Sequence, residues 1–410
     1  MNILYINHYA GSIYHGMEFR PYYLAREWVN AGNKVRIMAA DFSHLRKDNP
    51  LVEKDFAIEK IDGIEYQWIK TGKYSGNGVA RAMTMFLFVE KIWINARKIA
   101  DDFKPDLIIA SSTYPLDTYA AQHVKKFSGN CVLIHEIHDM WPIVPKELYG
   151  MSPYHPFVQL MQLAENSFCR NSDYVVSILP NAKDYLEEHG MSPEKLYHIP
   201  NGINLADWDA CEALPMLHAN VLAKAKAEGK FIICFFGSFT NMYNIDILLQ
   251  AVAKLNRDDI FVALVGGGVY KGELQKEASY LNLDKNKCVF LPYIPKKAIP
   301  SLTQIFDASY VGAVKDKMFR FGIGMNKLFD SMMSGKPILY AVDAPNDYVK
   351  EYNCGLSVEA ENVEALAGAI LALKEMSEDN RAKLGGNGKK AVLEFFNYRV
   401  NARRFLEVID

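Results

Sequence analysis

Short apolar, β-branched runs alternate with helix-period segments along nearly all of this 410-residue chain, and that alternation leaves few folds open to it. In the first half the runs are Ile3–Ile6, Lys34–Ala39, Ile64–Ile69, Asp106–Ala110, Cys131–His135, Tyr174–Ser177 and Leu196–Ile199. Helices are expected between several of them, over Arg20–Ala31, Pro115–Lys126 and His155–Arg170. A second series follows the turn cluster Ile199-Pro200-Asn201-Gly202, with Phe231–Phe236, Ile260–Val265, Cys288–Leu291, Ala308–Gly312, Ile338–Tyr340 and Leu356–Val358. Strands separated by helices pair in parallel, and the helices cover both faces of the sheet. The Asp62-Gly63 pair between Ala57–Ile61 and Ile64–Ile69 predicts a hairpin inserted into the first half.

A single core rarely grows to this length, so two domains of roughly 200 residues each are expected. The fold class that follows is α/β: two Rossmann-like, doubly wound domains facing each other across a cleft. Their expected spans are residues 1–203 and 204–388, with an amphipathic final helix, Lys389–Val408 within residues 389–410, packing back on the first domain. In such sheets ligands bind beyond the carboxyl ends of the strands, so the loops after strands should carry the chemistry.

Composition narrows the partners. A net charge of −2 gives no electrostatic case for nucleic acid. The six cysteines are scattered without a CxxC pair and read as buried thiols in a reducing cytosol. The N-terminus, Met1-Asn2-Ile3-Leu4-Tyr5-Ile6-Asn7, reads as a first strand and not as a signal peptide. No apolar run approaches the roughly 20 residues that span a bilayer. The expected location is cytoplasmic, with a peripheral contact at the inner face of the membrane as a further candidate. That candidate rests on Val79–Phe103, an apolar helix carrying Arg81, Lys91, Arg97 and Lys98, which also reads as a core helix with a solvated basic side.

The run Gly322-Ile323-Gly324-Met325-Asn326-Lys327-Leu328-Phe329-Asp330-Ser331 continues through Met332-Met333-Ser334-Gly335-Lys336-Pro337. It reads as a glycine loop, a short helix and a stop leading into Ile338–Ala341. Lys327 falls in the first turn, beside free N–H groups and the positive end of the helix dipole. Asp330 follows on the same face, one turn deeper. An anion has a cradle there, with a carboxylate placed for sugar hydroxyls; diphosphate next to ribose matches that pair.

Other loops after strands carry polar groups. The stretch from Asn7 to Arg20 holds His8, Tyr9, His15, Gly16 and Met17, and reads as a cleft lining or as a surface loop with helix-cap chemistry. His135-Glu136-Ile137-His138-Asp139 follows another strand. Two histidines and two acids suggest a metal, but no further His/Cys pair stands at ligand spacing, and a retained zinc needs a third ligand. A dry site in which His138 and Asp139 position a sugar or stabilise charge is the leading reading, beside ordinary loop hydrogen bonding. Phe236-Gly237-Ser238 can present N–H groups to a phosphate. The turn Gly266-Gly267-Gly268 lacks GxGxxG spacing and a Walker lysine, and reads as a tight turn opening on the cleft. Asp207-Trp208-Asp209 has DxD spacing, but no strand leads into it, and it reads as coincidence.

Taken in chain order, these segments resemble the retaining GT-B glycosyltransferases of family 4 (group 1 type), and most nearly those serving bacterial surface polysaccharides, amino-deoxysugar (fucosamine-type) transferases included. The resemblance runs through Ala31-Gly32-Asn33-Lys34-Val35, His138-Asp139-Met140-Trp141-Pro142, Pro200-Asn201-Gly202, Phe236-Gly237-Ser238, Leu264–Gly268, and Asn326-Lys327 to Gly335-Lys336-Pro337. It implies a nucleotide diphosphate sugar as co-substrate, UDP ahead of GDP, without a metal or other cofactor. It also implies a glycan or polyprenyl-linked acceptor. By that likeness the donor contacts are Gly16, Gly237, Ser238, Gly266, Asn326, Lys327, Asp330 and Ser331. His138, Asp139 and Lys327 are the catalytic candidates, and His8, Tyr9, His15 and Met17 line the acceptor side.

Two departures stand out. The family's paired glutamates, with seven residues between them, are Gly322 and Asp330 here. Its basic pair after the glycine turn is replaced by Ser238 and Tyr243, so phosphate charge rests on Lys327 and the helix N-terminus, aided by Lys315 or Arg320. The activity implied is a retaining, metal-independent sugar transfer in surface polysaccharide biosynthesis. An epimerase or hydrolase on the same scaffold, or a nucleotide-sugar binding protein without turnover, are the alternatives.

Overall fold

The computed structural model describes residues 1–16, 19–76 and 78–409. It divides into two units, Met1–Pro200 with Tyr398–Asp410, and Asn201–Asn397.

The first unit is built on eight strands: β1 (Asn2–Ile6), β2 (Lys34–Ala40), β3 (Ala57–Ile61), β4 (Ile64–Ile69), β5 (Leu107–Ala110), β6 (Val132–Ile137), β7 (Tyr174–Ser177) and β8 (Leu196–His198). Their order is β3-β4-β2-β1-β5-β6-β7-β8. All neighbours pair in parallel except β3 and β4, the hairpin that Asp62 and Gly63 turn with positive φ. Every residue of β5 is buried, as expected for a parallel strand covered on both faces. One face packs Tyr5, Val35, Ile37 and Ile109 against the helix Phe19–Asn30; the other packs Leu4, Met38, Ile108 and Leu133 against the helices on the far side.

The second unit has six strands, β9 (Phe231–Ser238), β10 (Ile260–Gly267), β11 (Cys288–Leu291), β12 (Ala308–Gly312), β13 (Ile338–Ala341) and β14 (Gly355–Val358). The order β11-β10-β9-β12-β13-β14 is all parallel. That is the doubly wound 3-2-1-4-5-6 arrangement, whose direction reverses between β9 and β12. In the first sheet the reversal falls between β1 and β5. Loops leaving these strands stand where such sheets bind ligands.

Two helices expected as single pieces are each two. Val79–Phe103 breaks into Val79–Ile94 and Ala96–Phe103 at Asn95, whose side chain donates to the Lys91 carbonyl at 2.8 Å and competes with the helix ladder. The first piece buries Thr84, Met85, Phe88 and Ile92 and leaves Val79, Met83 and Ile94 exposed. The chain end likewise forms Glu378–Phe395 and Tyr398–Glu407, separated at the buried Asn397, which donates to the carbonyls of Val392 and Leu393. Only the second piece belongs to the first unit. There Trp28 donates its indole N–H to the Ala402 carbonyl at 2.9 Å and meets Phe405 edge-on, and Asn401 donates to the Pro200 carbonyl. Among the described residues no helix is long and apolar enough to cross a membrane.

Candidate functional site

In the second unit the site grows from three glycines at the ends of β9 and β10. Gly237 and Gly266 lie opposite each other in the parallel register, with φ of 131° and 149°. A Cβ on Gly266 would stand 1.9 Å from the Gly237 carbonyl oxygen, and one on Gly268 would stand 2.5 Å from that of Phe239. Side chains are therefore excluded, and the two strand ends close into a tight backbone floor. Tyr293 fastens it, donating its hydroxyl hydrogen to the Gly267 carbonyl and standing 3.3 Å from the Ser238 hydroxyl. Ser238 itself is exposed.

Lys327 reaches this floor from the helix Asn326–Met333, which starts at Met325 without a side-chain cap. Its Nζ is buried with no hydrogen-bond partner and would lie 3.4 Å from a Cβ on Gly237. The amino nitrogen sits over the Tyr243 ring, 3.0 Å from its centroid, and 4.1 Å from that of Phe235; once protonated, it has both ring faces beneath it. Burial lowers its pKa to about 6. Tyr243, read from the sequence as the gap left by a basic residue, is thus the platform under the remaining one.

Asp330 lies one helical turn on. The Trp208 indole stands beside its carboxylate, while Oδ1 is buried without a hydrogen-bond partner. Burial raises its pKa; Lys296 and the Trp208 indole oppose that, and Asp207 adds to it. The Asp207-Trp208-Asp209 segment is therefore a neighbour of Asp330, with Asp207 taking a hydrogen bond from Asn204 and standing 3.6 Å from Lys296. Asn326 is exposed and Ser331 is 1% exposed, its side chain turned into the domain. Lys315 is held by Glu359 at 2.6 Å and Asp343 at 3.8 Å, and Arg320 donates to the Lys317 carbonyl. Gly322 has φ 108° and ψ 177°, a conformation open essentially to glycine alone.

In the first unit the focus is a buried carboxylate that was not singled out from the sequence. Glu136, at the end of β6, is 0% exposed. Its Oε1 accepts from Arg20 Nε at 2.9 Å, and its Oε2 accepts from Tyr5 at 2.5 Å and Ser111 at 2.6 Å. His138 Nε2 lies 3.3 Å from the same Oε2 and 2.8 Å from the Ser111 hydroxyl. Burial alone would raise the Glu136 pKa; the Arg20 guanidinium, His138 and the hydroxyl bonds outweigh it and hold the group well below the usual carboxylate range. Arg20 also donates to the carbonyls of Pro200 and Ile199. The neighbouring Asp139 is exposed.

The loop after β1 is less open than its composition suggests. His8 is fully buried, its Nδ1 2.6 Å from the Tyr114 hydroxyl and its ring stacked on Tyr9 and Phe88. Burial, with Arg46 and Arg81 nearby, pushes its pKa well down. Tyr9 is buried too, its hydroxyl 3.2 Å from Arg81 Nε. Both pack inside the domain instead of lining an open surface, because aromatic area is worth more buried than wet. His15 is 7% exposed and pairs with the Ser12 hydroxyl at 2.8 Å. Gly16 turns with φ 63°, and Met17 lies outside the described residues.

The structure thus brings Gly237, Gly266 and Lys327 together, sets Asp330 on the same helix, and joins His138 to Glu136. Arg20, Ser111, Glu136, Tyr243 and Trp208 were missed as site residues. An ionisable residue followed by His138-Asp139 directly after a buried strand was the one signal for Glu136.

Residues 14–207 match the family described as Glycosyltransferase Family 4, and residues 221–391 match Glycosyl transferases group 1. WcaI of Escherichia coli strain K12, named as a glycosyl transferase of colanic acid biosynthesis, is 24% identical over 277 residues. That match takes in 65% of this chain and 66% of WcaI, so the chain spans just under two thirds of that relative's length. Sucrose-phosphate synthase from Thermosynechococcus elongatus shares the architecture with a TM-score of 0.70 at 18% identity, over 99% of this chain and 98% of that one. HepE from Anabaena, solved with UDP and glucose, gives 0.67 at 16% identity, over 100% and 99%. At these identities the likeness is one of fold. Each half of the chain carries a glycosyltransferase domain, and the architecture is the GT-B fold.

Proposed function

We propose that this chain, with a family 4 and a group 1 glycosyltransferase domain, moves a sugar from a nucleotide diphosphate sugar to a glycan or lipid-linked acceptor of surface polysaccharide biosynthesis. The carrying observation is Lys327: a buried amino group with no hydrogen-bond partner, poised beside a side-chain-free floor at the start of a helix. A diphosphate supplies what that group lacks, and the N–H groups of the first helical turn add donors for it. Asp330 Oδ1, buried and without a partner, is an acceptor suited to ribose hydroxyls. UDP is the preferred nucleotide, a choice supported by HepE, which was solved with UDP. The place in polysaccharide synthesis is supported by the name of WcaI.

Catalysis on this reading is positioning and charge stabilisation. As the sugar–phosphate bond breaks, the ring becomes oxocarbenium-like and negative charge builds on the leaving diphosphate, which Lys327 and the helix N-terminus face. Transfer proceeds with retention: the acceptor hydroxyl attacks from the face the phosphate leaves, and the phosphate takes its proton. No metal or further cofactor is required. The reaction is placed on the cytoplasmic side of the membrane.

Incubation with UDP- and GDP-sugars in the presence of EDTA is expected to release nucleoside diphosphate, and Lys327→Ala to reduce release by about a hundredfold or more. Undiminished turnover by that variant would remove Lys327 from the donor site.

A further inference from the structure

A cavity of about 1010 Å³ lies within the first unit, outside the buried cluster around Glu136. It is at the upper end of the roughly 300–1,000 Å³ of small-molecule sites. The helix Val79–Ile94 forms one wall with Ala82, Met85 and Phe86, and the helix Pro156–Asn171 forms another with Phe157 and Leu160. Several of these apolar side chains are only half-buried, so the folded chain leaves unused a surface that the hydrophobic effect would otherwise close.

One end of the cavity is polar. Asp139, adjacent in sequence to His138, lines it, and so does Thr113, whose Oγ1 is buried without a hydrogen-bond partner. Arg81 stands in the wall and brings a positive charge. The exposed side chains Val79 and Tyr149, 79% and 57% accessible, stand among the lining, so the apolar surface continues outward from the cavity onto the protein's exterior.

We propose that this cavity binds the hydrocarbon chain of a lipid-linked acceptor, an isoprenyl phosphate derivative whose sugar lies toward Asp139 and His138. Three observations select that occupant. A polar end with an unsatisfied hydroxyl calls for a ligand with a hydrophilic head, which a purely apolar molecule does not have. Arg81 suits a phosphate between head and chain. The apolar rim suits a ligand that enters from a lipid surface and keeps part of its chain there. The proposal rests on the transfer reaction above, and it chooses the lipid-linked acceptor over a free glycan.

The test uses the full chain and thermal shift with dimethylallyl, geranyl and farnesyl monophosphate, with UDP titrated separately. The stabilisation is expected to grow along the series, affinity rising by about tenfold or more per added isoprene unit. Leu160→Glu puts a charge in the wall, and Ala82→Phe fills the cavity from a half-exposed helical position. Both should abolish the farnesyl shift and keep the UDP shift. If Leu160→Glu loses both shifts, Ala82→Phe decides. Equal shifts along the series, or a farnesyl shift unchanged in Ala82→Phe, would overturn the proposal. So would a dimer in sedimentation that Leu160→Glu dissociates, since the cavity would then be covered by a second copy. A farnesyl shift without any UDP shift would sink the donor reading and leave the lipid site standing.

Discussion

Glu136 Oε2 stands 3.3 Å from His138 Nε2, inside a cage in which Arg20, Tyr5 and Ser111 occupy the rest of the carboxylate. The inward nitrogen of His138 is thus committed to a fixed negative charge and a hydroxyl, which sets the ring's orientation. The His138 imidazole is therefore held from behind by a carboxylate that is itself fully buried.

Glu136→Gln keeps the shape and removes the charge. Arg20 is then buried opposite a neutral amide, and the loss of stability should be about 3–5 kcal/mol, as for other broken buried ion pairs. Ser111→Ala removes the hydroxyl that bonds Glu136 and His138 and should cost about 1–2 kcal/mol. Chemical denaturation of the two variants checks both. Steady-state kinetics separates positioning from folding: a Glu136→Gln protein that still folds should lose kcat while its KM for the nucleotide sugar stays near the parent's, because only the support behind His138 has changed.

The Glu136 pKa also fixes a pH dependence. Its folded value is depressed, so its contribution to stability is complete above the unfolded carboxylate value of about 4.3 and fades as pH falls below that. Thermal melts should show the parent losing stability below about pH 4 more steeply than Glu136→Gln. Parallel curves would show that Glu136 carries no buried charge.

Much of this architecture was legible because it is local. The strand–helix alternation marked both sheets nearly to the residue, since a strand buried on both faces writes its own apolar run. Lys327 and Asp330 were legible for the same reason: loop, first turn and lysine are contiguous. The cage around Glu136 was not, because Tyr5, Arg20 and Ser111 lie 131, 116 and 25 residues away and meet only when β1, β5 and β6 are laid side by side. Tyr243 was misjudged for a related reason. Composition shows a missing base there; only the fold shows a ring under the ammonium of Lys327. The helix breaks at Asn95 and Asn397 depend on side chains turning back to carbonyls, which apolar periodicity does not record.

Lys327 itself carries a cost that the free protein should reveal. Its folded pKa of about 6 lies far below the unfolded value of about 10.4, so between these the unfolded chain holds the extra proton, and stability from this group rises with pH. Lys327→Met removes the penalty. Without nucleotide at pH 7 it should raise stability by about 2 kcal/mol, roughly 4–8 °C in Tm for a domain of this size. A variant that is more stable yet inactive is the signature of a functional buried charge; a destabilised one would make Lys327 a structural residue.

Gly322 occupies the place of the family's first glutamate, and the backbone there explains why restoring the acid should fail. At φ 108° and ψ 177° any side chain is strained, at a cost of about 1–3 kcal/mol. Gly322→Glu should lower Tm and leave sugar turnover no better than the parent's. Gly322→Ala, which adds strain without charge, should lose a similar amount. If Gly322→Glu instead increases turnover, the loop can refold around a carboxylate.

The last consequence joins proton to ligand. In the free protein Lys327 is mainly neutral above about pH 6, whereas a bound diphosphate favours its charged form, so nucleotide binding should draw in close to one proton at pH 7.5. Calorimetry of UDP binding in buffers of different ionisation enthalpy measures that uptake directly. From pH 7 to pH 8 the same linkage weakens affinity by up to about tenfold, since each unit above the free pKa adds one factor of ten to the cost of charging the lysine. In Lys327→Ala the uptake should vanish and the residual weak affinity should be flat across this range. Uptake that persists in Lys327→Ala would place the titrating group elsewhere in the site.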